Sequence, residues 1–204
     1  MKIGILGGTF DPPHIGHMIL GIEAALALQL TTIIYVPAWK NRLKTNKPGA
    51  SAEQRYVMTG MAVQDYAHAW KRAVADVQVS DFEIKQARPV PTIETILQAR
   101  ELFKLGKENL YLILGGDNVH FLYNWTRTEE YGEYCQTVLV KRGDSDIYVP
   151  GNINKWHNVI VLSNPLTINL SSTEIRKRIG ENKPVSHLIP PTVYKYIIDE
   201  RLYI

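Results

Sequence analysis

Lys2-Ile3-Gly4-Ile5-Leu6-Gly7-Gly8-Thr9-Phe10-Asp11-Pro12-Pro13-His14-Ile15-Gly16-His17 passes from an apolar run, through a glycine pair, into the start of a helix. Residues 2–6 read as a short buried strand, and Gly7-Gly8 as the turn that ends it. Beyond the turn, Ile15, Ile19, Ile22 and Leu26 recur at helical spacing and predict a helix over 15–28. Residues 31–36 are a β-branched run, hence a second strand, stopped by Pro37. Strand, turn, helix and strand open a βαβ unit, and the rest of the chain continues the alternation.

Residues 39–50 carry Lys, Arg, Asn, Pro and Gly and read as a loop. Ser51-Ala52-Glu53-Gln54 is a capping box that opens a helix to about residue 66. Residues 74–84 alternate loosely, as a strand does, and Pro89 and Pro91 punctuate the chain before a helix over 92–103. Residues 110–114 form a continuous apolar run suited to a central strand, and 137–140 and 159–162 add two more. Ser171-Ser172-Thr173-Glu174 opens a helix ending at Gly180, and Pro190-Pro191 opens a last one through about residue 200. The expected fold is α/β: a Rossmann-like, doubly wound, mostly parallel sheet with helices on both faces. No linker divides the chain, so residues 1–204 are expected to form one domain, with a helical C-terminal part from about residue 171.

The composition suits a globular protein: 204 residues, 45% hydrophobic and 21% charged, far from disordered or fibrous chains. A single cysteine, Cys135, excludes an internal disulfide and points to a reducing, cytoplasmic setting. The first eight residues are too short and glycine-broken for a signal peptide, and the apolar stretch over 18–30 is too short to span a membrane. The net charge of +3 favours anionic ligands without demanding nucleic acid, and the fifteen Tyr and Trp residues do not line up with basic ones as a stacking platform. Cys135 reads as a small buried side chain, and His68, His120, His157 and His187 as scattered surface or core residues.

In a doubly wound sheet, ligands sit beyond the carboxyl ends of the strands. At the first strand exit, Gly7 and Gly8 let amides approach an anion, and the next helix aims its positive end there. His14 and His17 stand three apart on one face of the first turn, where imidazoles can hold phosphate oxygens, and Gly16 leaves room between them. The plainer reading of a glycine pair is a tight βα connection, and that of a histidine pair a metal site, but no third ligand has suitable spacing. The segment is neither a Walker loop nor Gly-x-Gly-x-x-Gly. Near the other end, Ser171, Ser172 and Thr173 sit at a helix start with Arg176 one turn on, a second place for phosphates.

The string His14-Ile15-Gly16-His17 resembles the His-x-Gly-His signature of the nucleotidyltransferase superfamily, which class I aminoacyl-tRNA synthetases share in much longer chains. Leu170-Ser171-Ser172-Thr173-Glu174-Ile175-Arg176 resembles the superfamily's second signature. Over nearly its whole length the chain is similar to the bacterial nicotinate mononucleotide adenylyltransferases. Gly115-Gly116-Asp117 matches their Gly-x-Asp, Trp125 a tryptophan that stacks on pyridine, Lys141-Arg142-Gly143 a basic turn without its proline, and the ending through Leu202-Tyr203 the family ending. The resemblance implies ATP contacts from Gly7, Gly8, Thr9, Phe10, His14, His17, Gly115, Asp117, Ser171, Ser172, Thr173 and Arg176. It implies pyridine nucleotide contacts from Gly8, Thr9, Phe10, Lys44, Thr92, Thr95 and Trp125. His17, His14, Arg176 and Lys44 would be the catalytic set, with Mg²⁺ carried by ATP and no metal site of the protein's own.

Two departures bear on the acceptor. The family's Pro-Pro-His-Lys is Asn41-Arg42-Leu43-Lys44 here, and its Ser-Tyr-Thr is Val90-Pro91-Thr92. Nicotinate and nicotinamide mononucleotide both remain as acceptors, as does a phosphopantetheine adenylyltransferase-like activity. A non-catalytic nucleotide sensor has no need of His14, His17 and Arg176 together, and the modest charge speaks against a tRNA-related binder. The expected partners are small nucleotides, not nucleic acid or a membrane, with a homo-oligomer an open option.

Overall fold

A computed structural model of the chain describes residues 1–40, 49–140, 148–162, 165–166 and 168–204. In chain order the elements are β1 (Ile3–Gly8), α1 (Ile15–Leu28), β2 (Thr32–Pro37), α2 (Ala52–Ala73), β3 (Asp76–Val79), α3 (Phe82–Lys85) and α4 (Thr92–Phe103). They continue as β4 (Leu110–Gly115), a 3₁₀ stretch over Gly116–Asn124, α5 (Tyr131–Tyr134), β5 (Gln136–Val140), α6 (Gly151–His157), β6 (Val159–Leu162), α7 (Ser172–Gly180) and α8 (Pro191–Asp199).

The strands form one sheet in the order β3-β2-β1-β4-β5-β6, and every pairing is parallel. This is the expected doubly wound architecture, and the order reverses between β1 and β4, where such sheets open a crevice. Alternate residues feed two cores. Leu6, Ile33, Tyr35, Ile113 and Val138 face α1, α2 and the C-terminal helices, whereas Ile3, Ile5, Ile34, Leu112 and Leu139 face α4, α5 and α6. Helices on both faces explain why the strands are apolar throughout rather than alternating.

Several elements differ from expectation. Gly7 and Gly8 lie inside β1, paired with Val36 and Pro37, so the turn begins at Thr9. The strand expected over 74–84 stops at Val79, because the Ser80 hydroxyl accepts the Phe82 N–H at 3.2 Å and turns the chain into α3. The capping box forms as expected, Ser51 Oγ accepting from Gln54 N at 3.1 Å and Gln54 Oε1 from Ser51 N at 2.9 Å. The helix runs on past residue 66 because Tyr66 and Trp70, one turn apart, stack at 5.2 Å over the first core. The 3₁₀ stretch and the short α5 and α6 carry too little periodicity to be read from sequence.

Cys135 is buried, and burial pushes its thiol up to about 12, as suits an inert core residue. No helix among the described residues is long and apolar enough to cross a membrane. His157 is wholly buried, bridging the hydroxyls of Thr128 at 2.8 Å and Thr137 at 3.1 Å.

Burial lowers the His157 pKa from 6.5 to about 4. Between those values the unfolded chain takes a proton that the folded one refuses, so this residue's stability contribution is complete above 6.5 and is lost as the pH falls toward 4. Urea titrations should show wild type losing about 2 kcal/mol more than a His157→Gln variant between neutrality and about pH 5. Equal losses in the two proteins would contradict a neutral, bridging His157.

Candidate active site

The site is built on the chain leaving β1. Phe10 adopts a left-handed backbone, φ 49°, and drops its ring into the core at 1% exposure. The ring lies against Gly8, where a Cβ would stand 2.8 Å away, so only glycine permits the approach. It meets the His17 ring in a T-shaped contact, with centroids 4.9 Å apart, and His17 stacks on His14 at 3.7 Å. His17 Nδ1 accepts the backbone N–H of His14 at 3.2 Å. With Nδ1 as the acceptor, the N–H of the half-buried imidazole is on Nε2. His14 is 2% exposed and packs beneath it. The space expected beside Gly16 for a ligand is taken by the His14 ring, 3.1 Å from where a Cβ would be.

The second motif is stitched directly onto the first. Ser171 caps α7, its hydroxyl accepting the Glu174 N–H at 3.2 Å. The Ser172 hydroxyl donates to the Pro12 carbonyl at 2.9 Å. Arg176 Nη1 donates to the Asp11 carbonyl at 2.7 Å and stands 3.5 Å from its carboxylate, while Nη2 meets the Thr173 hydroxyl at 3.3 Å. So the serine hydroxyls, read from sequence as a place for phosphates, hold the helix start in place, and the half-buried guanidinium of Arg176 is aimed across the β1 exit.

Two residues that the sequence reading passed over hold this arrangement. Arg55 on α2, 1% exposed, donates to the carbonyls of Thr9, Ala38 and Trp39, each at 2.7 Å. It ties the exits of β1 and β2 together. Burial pulls its pKa below the usual arginine range, opposed by the nearby Asp11 charge. Asp11, 3% exposed, accepts the backbone N–H groups of Gly49 at 2.8 Å and Ala50 at 3.0 Å and the Tyr203 hydroxyl at 2.9 Å. A charge in the middle of an otherwise neutral motif was the available signal for Asp11; Arg55 had none beyond its place behind a capping box.

On the other side of the crevice, Gly115 ends β4, and Asn118 Nδ2 donates to its carbonyl at 3.0 Å. Asp117 lies in the 3₁₀ stretch that follows, its side chain outside the described residues. Trp125 is half-buried, its ring 5.8 Å from that of Tyr131, whose hydroxyl lies near Thr92 and Ile93 at the start of α4. Thr92 and Trp125 thus belong to one cluster. Thr95 turns away from it: buried, it donates to Glu83 at 2.8 Å. Burial pushes the Glu83 carboxyl up to about 7 against the pull of that hydrogen bond. Lys44 and the turn over 141–143 lie outside the described residues. No three His, Cys, Asp or Glu side chains among the described residues group as metal ligands, and Asp11, the acid nearest the motifs, is filled by its own donors.

Comparison with known proteins fits this geometry. Residues 5–178 match the Cytidylyltransferase-like family. A probable nicotinate-nucleotide adenylyltransferase of Dehalococcoides mccartyi is 33% identical over 211 residues, spanning 100% of this chain and 97% of the relative. The chain belongs to the nicotinate-nucleotide adenylyltransferase family. Another member, from Caldicellulosiruptor saccharolyticus, is also 33% identical, over 100% of this chain and 99% of its own. The fold is shared with solved members at lower identity. The Plasmodium falciparum nicotinic acid mononucleotide adenylyltransferase complexed with NaAD superposes with a TM-score of 0.78 at 20% identity, covering 99% of this chain and 97% of that one.

In this adenylyltransferase-family chain, Arg55→Lys keeps a charge but cannot reach three divergent carbonyls. Urea unfolding should show a loss of about 3 kcal/mol or more, from buried acceptors left unpaired. A loss under about 1 kcal/mol would mean the carbonyls find other donors.

Proposed function

We propose that this protein transfers the adenylyl group of ATP to the 5′-phosphate of nicotinate mononucleotide, giving nicotinate adenine dinucleotide and pyrophosphate. The observation that carries the reading is the joining of the two signatures at the β1 exit, Ser172 to Pro12 and Arg176 to Asp11. That union is needed for in-line transfer between phosphates, and family membership supplies the reaction class.

An acceptor phosphate oxygen attacks the α-phosphorus; the new O–P bond forms as the bond to the bridging oxygen breaks, and pyrophosphate leaves with the electron pair. The acceptor is ionised at neutral pH, so no general base is needed, and catalysis is positioning plus charge stabilisation. The reading assigns the backbone of Gly7, Gly8, Thr9 and Phe10 to cradling nucleotide phosphates. His17 Nε2–H donates to the α-phosphate, with His14 holding its ring. Arg176, with the helix start that Ser171, Ser172 and Thr173 form, takes the leaving pyrophosphate, and Lys44 adds a charge. Gly115 and Asp117 bind adenosine, while Trp125 and Thr92 form the pyridine side, with Thr95 buried behind them on Glu83. Mg²⁺ arrives as part of the ATP substrate, held by phosphate oxygens. The stitching of α7 onto the β1 exit supports reading residues 1–204 as one catalytic unit. The lone buried thiol suits the cytoplasm, where ATP is available.

Val90 is buried just before α4, and Pro91 caps that helix without a side-chain donor, so the carboxylate partner of nicotinate is the open point. Pyrophosphate release is measured with nicotinate and nicotinamide mononucleotide offered separately. The expected outcome is release with both at unequal kcat/KM, nicotinate the better; a reversed ratio assigns nicotinamide mononucleotide as the acceptor. Folded protein that releases pyrophosphate with neither contradicts the transfer reading. In the same assay His17→Ala should lower kcat by roughly 10²-fold, and an unchanged kcat removes His17 from the mechanism.

A further inference from the structure

Tyr203 lies beyond α8, outside any regular element. Here it is built in. Its backbone sits at φ 67° and that of Arg201 at φ 51°, left-handed conformations that non-glycine residues adopt only when the surroundings hold them. Leu202 between them is buried in the first core, and its N–H bonds the Ile197 carbonyl at 3.0 Å. The Tyr203 ring lies over Gly49 so closely that a Cβ there would stand 2.8 Å from it, and the Arg176 stem borders the same spot at 3.5 Å.

The hydroxyl then donates to Asp11 Oδ1 at 2.9 Å. Asp11 is the hub between the two signatures, since its carbonyl takes Arg176 Nη1 at 2.7 Å and its carboxylate faces the same nitrogen at 3.5 Å. Burial and the neighbouring carboxylate raise the phenol well above the ordinary tyrosine range, so it remains a donor at any working pH. Without that hydroxyl, Asp11 Oδ1 keeps, among the described residues, the Ala50 amide, and the carboxylate is held less firmly beside the guanidinium.

We infer that Tyr203 is a positioning residue of the transfer reaction: through Asp11 it sets the guanidinium of Arg176 against the leaving pyrophosphate. This rests on the adenylyl-transfer reading. A segment that merely packs would affect stability, and both substrates alike. A positioning role acts on the pyrophosphate end alone.

The test compares full-length wild type with Tyr203→Phe, which removes one oxygen and keeps the ring on Gly49. Initial rates give kcat and both KM values, and inorganic pyrophosphate added as a product inhibitor reports the Arg176 end directly. The expected result is a kcat lower by about tenfold and pyrophosphate inhibition weaker by about tenfold, the size expected for one hydrogen bond to a charged group. The acceptor KM should stay within about twofold and the melting temperature within a few degrees. Wild-type kcat and wild-type pyrophosphate inhibition in the variant overturn the inference, as does an acceptor KM that rises in step with the loss of pyrophosphate binding. Should Tyr203→Phe fail to fold, Gly49→Ala, whose Cβ pushes the ring away and carries the hydroxyl off Asp11, must show the same selective loss. Wild-type protein inactive with either acceptor would sink the transfer reading itself, a distinct outcome.

Discussion

Backbone groups at the carboxyl end of a parallel sheet lose their ladder partners, and the way this chain replaces them shapes its site. The carbonyls of Thr9, Ala38 and Trp39 converge on one buried guanidinium, Arg55. The amides of Gly49 and Ala50 converge on one buried carboxylate, Asp11. Each charge is tolerated inside the protein because it is surrounded by dipoles of the right sign. The exits of β1 and β2 and the approach to α2 are thereby bound into one unit.

This arrangement suits a reaction in which the protein does little covalent chemistry. In-line transfer between phosphates depends on holding two ligands in register and on meeting charge as it moves toward the leaving group. Gly8 admits the Phe10 ring, Phe10 backs His17, and His14 stacks on it, so the imidazole is held from two sides. Arg176 reaches the same exit from a helix that begins 155 residues after His17, anchored by Ser172 on Pro12. Rigid placement of donors matters more here than their number, because each is already paid for in the folded state.

The pyridine side is organised differently. Thr92, Trp125 and Tyr131 gather where α4 begins, whereas Thr95, expected beside Thr92 at the ligand, points into a buried contact with Glu83. On a helix, residues three apart share a face only roughly, and burial of the Glu83 carboxyl required a donor that Thr95 supplies. The result is a stiff wall behind the α4 start, with the ligand-facing groups limited to its first turn.

Much of this was legible in the sequence. Apolar runs separated by helical periodicity dictated a doubly wound parallel sheet, because strands buried on both faces must be apolar throughout. The two signatures, read together, pointed to phosphates because helix starts with hydroxyls, imidazoles and a guanidinium suit anions whatever the fold. Local patterns could not say which polar groups would face the ligand and which would hold the backbone. That was decided by tertiary contact: His14 went under His17, Thr95 turned to Glu83, and the serine hydroxyls of α7 were consumed in anchoring it. Arg55, Asp11 and Tyr203 acquired their roles the same way. Their partners lie 16 to 192 residues away along the chain, and only the folded sheet, by stripping backbone groups of their neighbours at one edge, creates the need they fill.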